Sequence, residues 1–483
     1  MDERSSSGRE GRLMRVFSVN NSSIVEHGTF VPQFYYYNEV VKQDCMAHGG
    51  KYIRLGDYSV VSDGEHSAIP RNSKGGVRYL YGRNIREGVI DFDPISDDPY
   101  ISREDYQIFN RCHISENDVL IAIYGTVGKS AVYKSSYVGT AGIPRHISNI
   151  RLKSDAPITP EYLTAFFRSK YGKAQIKSFM TGNIQQLFSL GSIRNYSVPI
   201  LPEDIMENIA TTEKAAILCE ENAEHNIKRA IEIFYSGLGF DPRKMESDKY
   251  FLTKSSNLFE KNIWSVSLYN NLFQRIEDTM IAMTGIYRLN EIVDACHGDE
   301  VGSDAYIEYE DRAPHDIPFI RTSDIVNYEA DLYPDYYVSP DDRTQVKQDV
   351  RPNDVIFTKD GKIGAVGMVV ESDSVIFSSG LEILRVKEDA LAKGITPQYL
   401  FVALAVPEVG LYGARRRAVF ASTIPHLRES RLLDIAIPKM DQFFIQEITT
   451  LVVEAFSQKN IRKQLLKANE NIIDDYFKKH VAE

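Results

Sequence analysis

The chain states one pattern twice. Asn117-Asp118-Val119-Leu120 precedes Gly125-Thr126-Val127-Gly128, and Asn353-Asp354-Val355-Ile356 precedes Gly361-Lys362-Ile363-Gly364, an offset of 353 − 117 = 236. Ile158-Thr159-Pro160-Glu161-Tyr162-Leu163 returns as Ile395-Thr396-Pro397-Gln398-Tyr399-Leu400, and Tyr100-Ile101-Ser102 as Tyr337-Val338-Ser339, both at 237 (395 − 158; 337 − 100). Three matches in one order at a nearly constant offset define a unit half the chain long. A duplicated unit with divergent detail predicts one scaffold reading two different targets.

Each copy reads in the same sequence of parts. An aromatic lead-in comes first, Phe34 to Tyr37 and then Trp264 to Tyr269. Strand-like runs bounded by Gly, Asn and Asp follow. They are Tyr79-Leu80-Tyr81, Val119 to Tyr124 and Ala131-Val132-Tyr133, answered by Pro318-Phe319-Ile320, Val355-Ile356-Phe357 and Val366 to Val370. Pro160 and Pro397 suit the first turn of a helix, the first running to about Tyr171.

Each copy ends in a long helix. The first starts after Leu201-Pro202-Glu203-Asp204, with acids complementing the helix dipole, and runs to about Ser236, where Gly237, Gly239 and Asp241-Pro242 stop it. Its seam Ile205, Ile209, Thr212, Ala216, Cys219, Ala223, Asn226, Ala230, Ile233 has coiled-coil spacing. The second starts near Pro438 and runs to about Lys479, with Ile445, Ile448, Val452, Ala455, Ile461, Leu465, Ile472 and Tyr476 as its apolar positions. Equivalent long helices from two-fold-related repeats predict an antiparallel pair. The expected architecture is mixed α/β: two homologous globes, about 50–200 and 285–437, on a helical spacer. A helix of about 34 residues spans roughly 50 Å. One DNA turn is about 34–36 Å, so the spacer is expected to hold the globes more than a turn apart, as a dumbbell. The expected division is a flexible tail over 1–13, a first domain over 14–200, a spacer helix over 201–240, a lead-in and second domain over 241–437, and a closing spacer helix over 438–483.

Composition narrows the function. The net charge of −11 argues against a wholly basic nucleic-acid binder but not against basic loops on an acidic body. Cys45, Cys112, Cys219 and Cys296 are scattered, which predicts neither a disulfide framework nor a zinc site and suits a reducing, cytoplasmic setting. Leu400 to Val406 is cut off by Pro407, far short of a membrane span. Met1 to Gly11 is polar and lacks the apolar core of a signal peptide.

The residues resemble the specificity subunit of type I restriction-modification systems, over nearly the whole chain. The resemblance is carried by Tyr79-Leu80-Tyr81-Gly82-Arg83-Asn84-Ile85, Asp118-Val119-Leu120-Ile121, Gly125 to Lys129, Arg145-His146-Ile147 leading to Ile150-Arg151, and Pro160-Glu161-Tyr162-Leu163. The second copy supplies Phe319-Ile320-Arg321-Thr322-Ser323-Asp324-Ile325, Asp354-Val355-Ile356-Phe357, Gly361 to Gly364, Leu384-Arg385 and Pro397 to Leu400. Pro438 with Gln442 fits the family's strand-to-helix junction, whereas Pro202 has no nearby Gln and Ala365 stands where the family often has Lys. The resemblance implies two target recognition domains reading a bipartite double-stranded DNA site. It implies a non-catalytic chain that carries no cofactor and partners two methyltransferase subunits and restriction subunits in phage defence. AdoMet, ATP and Mg would lie on those partners. A type II-like or other phage-defence methyltransferase system is the alternative assignment.

The candidate chemistry agrees. Gly125, Gly128 and Lys129 lack full P-loop spacing, and the second copy has no Lys there, so the glycines read as a tight turn and Lys129 as a phosphate contact. Asp97-Asp98-Pro99-Tyr100 lacks the second proline of an amino-methyltransferase motif and any glycine-rich AdoMet loop. No H-E-x-x-H, nuclease cluster or nucleophile elbow occurs. The expected DNA-contact set is Arg78, Tyr81, Arg83, Lys129, Arg145, His146, Gln185, Gln186, Arg321, Lys359, Lys362, Arg415, Arg416 and Arg417. Gln suits adenine and Arg suits guanine. Lys359 and Lys362 bracket the second glycine turn as phosphate contacts. Arg415-Arg416-Arg417 is expected at the place of Gly182 to Gln186. Two rivals remain: a methyltransferase or nuclease fused to its own reader, and an acidic interaction scaffold that does not bind DNA.

Overall fold

A computed structural model describes residues 50–480 apart from 73–74, 181–186, 249, 251, 253, 257–268, 310–311, 345 and 421–424, together with Asn21, Ser22, Ile24, Tyr35, Lys42 and Met46. The expected tail, most of both aromatic lead-ins, and Gln185 and Gln186 lie outside the described residues.

The duplication is structural. In the first copy β2 (Ser59–Asp63), β10 (Ile147–Leu152), β7 (Val119–Ala122) and β8 (Ser130–Val132) lie side by side in that order, all antiparallel. In the second, β13 (Val293–His297), β22 (Leu381–Val386), β19 (Val355–Thr358) and β20 (Val366–Met368) repeat the order and sense. A smaller sheet, β6 (Tyr100–Ile101), β3 (Val77–Tyr79) and β9 (Ala141–Gly142), recurs as β18 (Tyr336–Val338), β15 (Ile317–Ile320) and β21 (Ile376–Phe377), with β14 (Ile307–Glu308) added outside β18. Each copy also has a two-residue hairpin, β4 (Ile85–Arg86) with β5 (Val89–Ile90) and β16 (Ile325–Val326) with β17 (Glu329–Ala330). A closing strand pair frames each copy, β1 (Lys51–Arg54) with β11 (Ser197–Ile200) and β12 (Ile286–Arg288) with β25 (Ala436–Pro438). β23 (Val419–Phe420) and β24 (Pro425–His426) pair beside the second glycine turn.

The repeated residues explain the repeated shape. Asn117 and Asn353 turn the chain into β7 and β19 at φ 68° and 71°, a left-handed conformation that Asn tolerates. Asp118 and Asp354 follow, buried, and each pairs with the arginine of its neighbouring strand, Arg151 and Arg385, both at 2.7 Å. Thr159 and Thr396 cap helices Pro160–Arg168 and Pro397–Ala405, each with Pro in the first turn. The expected helix to Tyr171 is in fact two, because Ser169 leaves helical geometry and caps a second helix, Lys170–Phe179. Its counterpart is Gly410–Arg417.

The long helices span Glu203–Gly237 and Gln442–His480 and pair antiparallel. Contact positions sum to a constant: Asn469 donates to the Ile209 carbonyl (469 + 209 = 678) and Lys459 meets Glu220 (459 + 220 = 679). The first seam lies as expected, with Ile209, Ala216, Cys219, Ala223, Asn226 and Ala230 buried. The second slips by one residue after Ala455. Ile461 is 40% exposed, and the seam runs through Lys459, Arg462, Leu466, Asn469, Ile473 and Phe477. Three of those six residues are polar, so an apolar pattern passes them over and picks their neighbours.

The helix pair is not a bare rod between separated globes. Val119, Ile121, Tyr162, Phe166 and Phe167 of the first globe pack with Ile209, Ile217, Ile473 and Phe477 at one end. Val355, Phe357, Tyr399 and Phe401 of the second pack with Ala223, Ile227, Phe234, Ile445, Ile448 and Val452 at the other. Between them the globes touch, with Val326 inside a core of the first and Ile95 against a core of the second. The dumbbell expectation is therefore corrected, because apolar surface on the two hairpins is buried by mutual contact rather than left in water. Among the described residues no helix is long and apolar enough to cross a membrane.

Candidate nucleic-acid interface

In the first globe four loops meet at the ends of the sheets. Tyr81 opens the turn Gly82–Asn84, and the Asn84 side-chain Oδ1 accepts from the Tyr81 backbone N–H at 2.6 Å. Two guanidinium groups flank the Tyr81 ring, Arg71 at 3.6 Å and Arg83 at 4.1 Å, while its hydroxyl donates to Asp98 at 2.8 Å. Burial, reinforced by that hydrogen bond to Asp98, pushes the phenol pKa up. Arg71 is fixed by donating to the Tyr79 carbonyl at 2.7 Å, whereas the Arg83 side chain is 56% exposed and stands 3.7 Å from Asp93. Thr126, in the glycine turn, donates to the Gly82 carbonyl at 3.3 Å, which joins the two motifs. Tyr124 meets His146 edge-on at 5.5 Å, and Arg145 beside it is exposed with no ion pair among the described residues. Partial burial, then the Arg145 charge, holds the His146 imidazole pKa below its usual value. Tyr124 also bridges to Leu187.

The fold thus brings together Tyr81, Arg83, Arg145 and His146, with Arg71 and Tyr124 added. Arg71 escaped the sequence reading because it sits in an irregular loop before the motif. Only the aromatic spacing Tyr79, Tyr81 hinted at a surface on which a guanidinium stacks.

The other expected contacts have different roles. Arg78 is half-buried and donates to the Phe92 carbonyl at 2.5 Å. Lys129, expected at a phosphate, is buried and pairs with Asp335 of the second globe at 2.6 Å. Arg321 lies over the Tyr336 ring at 4.2 Å and pairs with Asp335 at 3.1 Å. Lys362 reaches Asp93 of the first globe at 3.1 Å, and Arg415 reaches Asp97 at 2.8 Å.

Arg416 and Arg417 are corrected most. Both bind Glu277 on helix Asn271–Thr284, at 2.5 and 3.0 Å, and Arg288 joins them at 2.9 Å. Burial would raise the Glu277 pKa, but hydrogen bonding and charge from Arg417, with Arg416 and Arg288, outweigh it and hold it at about 2. The run braces a helix instead of facing solvent. Its repeat equivalent is also different. Gly172 packs on the Phe166 carbonyl and Gly410 on that of Leu404, an offset of 410 − 172 = 238. Arg415 to Arg417 therefore answer Lys177 to Phe179, not Gly182 to Gln186.

The second globe builds the same mouth with other chemistry. Asp360 stands where the first has Tyr124, just before the glycine turn, and bridges to His426 as Tyr124 bridges to Leu187. His426 Nδ1 lies 2.7 Å from the Asp360 carboxylate. Nearby, His297 spans Glu382 (2.8 Å) and Glu429 (3.0 Å), and Lys359 lies 2.8 Å from Glu382. These three residues, His297, Glu382 and Glu429, have donor atoms close enough to hold a metal ion. Each ring nitrogen faces a different carboxylate, however, and the Lys359 ammonium already supplies the positive charge between His297 and Glu382. The group is a closed ion network, and it occupies Lys359, expected at a phosphate.

No family model and no curated protein matches the chain. Among solved structures it is similar to the type I restriction-modification S subunit from M. genitalium, at 12% identity over 94% of this chain and 100% of that one, with a TM-score of 0.31. It is also similar to the HsdS subunit from Thermoanaerobacter tengcongensis, at 15% identity over 89% and 96%, with a TM-score of 0.27. A third similar chain comes from a type I R-M system described for its complex assembly and conformational transition, at 14% identity over 89% and 97%, with a TM-score of 0.27.

Proposed function

We propose that this chain is a non-catalytic DNA sequence-recognition subunit of a type I or type I-like restriction-modification complex, reading a bipartite target with one globe per half-site. The observation that carries this is one mouth built twice on one frame with different side chains. Arg71, Arg83, Arg145 and two tyrosines, one held by Asp98, line the first, while Asp360, Glu429, Lys359 and two histidines line the second. Guanidinium groups donate to guanine and phosphate, and carboxylates accept from cytosine N4. A repeated scaffold with different donors and acceptors suits two different half-sites.

Methylation and cleavage then belong to partners, two methyltransferase subunits and restriction subunits that carry AdoMet, ATP and Mg. The outer face of the helix pair offers a place for them. Leu218 and Ile461 stand at one level (218 + 461 = 679) at 54% and 40% exposure, and Val453 and Phe443 are exposed farther along the second helix at 52% and 61%. A groove of about 400 Å³ between Arg229, Ile233, Phe443 and Thr450 adjoins it.

The test is selection of randomised duplex DNA by the full chain co-purified with its methyltransferase. Two enriched half-sites, of which an exchange of residues 50–200 alters one, support the reading. Enrichment of no sequence, or alteration of both half-sites, overturns it. AdoMet binding by the chain alone would favour the fused-enzyme rival.

A further inference from the structure

The two hairpins face each other across the junction of the globes. Asn327 and Tyr328 form the turn of β16–β17, both left-handed, at φ 47° and 70°. Asn favours that region, whereas a tyrosine there is strained; the equivalent position in the first globe is Gly88 at φ 72°. The strain is held by fixed partners. The Tyr328 ring is buried, 5.7 Å from Phe92 of the first globe and 5.5 Å from Phe401 of its own.

Asn327 is satisfied on all sides at 3.0 Å. Its carbonyl oxygen accepts from the Phe92 N–H, and its amide donates to the Ile90 carbonyl and to Glu220 of the first long helix. One side chain thus ties both globes and the spacer. On the opposing hairpin Arg86 is buried, donates to the Ser323 carbonyl at 2.5 Å, and stands 3.5 and 3.6 Å from Asp331 and Asp324. The Lys129–Asp335 pair and a hydrogen bond from the Tyr309 hydroxyl to the Arg168 carbonyl extend the junction. At the rim the first globe is acidic, through Asp93 and Asp97, and the second basic, through Lys362 and Arg415.

A helix pair anchors each globe at one end but leaves its rotation to local packing. Polar groups buried between the globes bond in one geometry, and misalignment would leave them unpaired at a cost of roughly 1–3 kcal/mol each. We infer that this clasp, centred on Asn327 and Arg86, sets the separation and rotation of the two reading mouths, and so the gap between half-sites that the chain accepts. Asn327 and Arg86 are positioning residues that need not touch DNA. The inference rests on the DNA-reading assignment above.

The test pairs a DNA readout with one independent of DNA. Asn327→Gly keeps the turn and removes all three hydrogen bonds. Should it fold poorly, Asp97→Asn removes the partner of Arg415 and loosens the rim without touching the first mouth. Each full-length variant, co-purified with its methyltransferase, is offered duplexes in which the gap between the selected half-sites varies. The expected result is a broadened or shifted gap preference with the half-site bases unchanged, and a larger maximum dimension in small-angle scattering. A wild-type gap preference and wild-type scattering in a folded variant overturn the clasp while leaving the two-reader assignment intact. If the parent chain selects no sequence, that assignment falls, and scattering alone still decides whether the clasp holds the globes.

Discussion

The Lys459 ammonium lies 3.1 Å from both carboxylate oxygens of Glu220, at the same level of the two long helices. Glu329 of the second hairpin takes part, 3.3 Å from Lys459 and 2.8 Å from Arg462, and Lys463 pairs with Asp373 at 2.6 Å. All six groups are buried or nearly so, which places an ionic layer where a coiled coil ordinarily has apolar side chains.

Removing one member strands the rest. Lys459→Met is expected to destabilise the fold by about 3–5 kcal/mol, because Glu220 and Glu329 would stay buried with less compensation. Lys459→Met with Glu220→Met should recover much of that loss. Denaturant unfolding of the double-mutant cycle checks this, and equal additive losses would sink it.

Arg416 and Arg417 should act through Glu277. The folded pKa of Glu277, about 2, lies below its ordinary 4.5, so its pairing stabilises fully above pH 4.5 and is lost as pH falls toward 2, in all about 3 kcal/mol. Glu277→Gln should flatten the acid limb of the stability curve. Arg416→Ala with Arg417→Ala should lower the melting temperature more than it changes the salt dependence of DNA binding.

Glu224 should give the opposite slope. Burial, against the pull of Lys228, raises its pKa to about 7 from 4.5, so the folded chain holds this proton more tightly than the unfolded one. Stability is expected to fall as pH rises from 4.5 through 7, by about 3 kcal/mol for this group. Glu224→Gln should remove that decline and raise the unfolding midpoint above neutral pH, as read by urea titration across the neutral range.

Arg71 and Arg83 are the basic pair to test for DNA contact. Arg71→Ala with Arg83→Ala should weaken duplex binding and, if both meet phosphates, reduce the salt slope by up to about 2. A contact to a base edge would instead relax preference at one position, by about 1–3 kcal/mol. Filter or fluorescence binding at several salt concentrations separates these outcomes.

Asp360→Asn should change the preferred base in one half-site and leave the other untouched, because its equivalent in the first globe is the aromatic Tyr124. Sequencing of selected duplexes checks this. An unchanged preference would remove the second mouth from base readout.

Local signals were legible in the chain by itself. Asn117 and Asn353, Thr159-Pro160 and Thr396-Pro397, and the acids after Pro202 act within a few residues of backbone, where turn and cap preferences operate. The doubling of those signals was enough to determine two like domains and two long antiparallel helices. Tertiary structure decided the rest. Lys459, Arg462 and Asn469 look like solvent-facing residues until distant acids arrive to satisfy them, so the second seam could not be traced by hydrophobicity. Lys129, Arg416 and Arg417 look like a DNA surface for the same reason, and their carboxylate partners are remote in sequence. A charge reads as exposed or buried only according to what stands opposite it, and that is a property of the assembled fold.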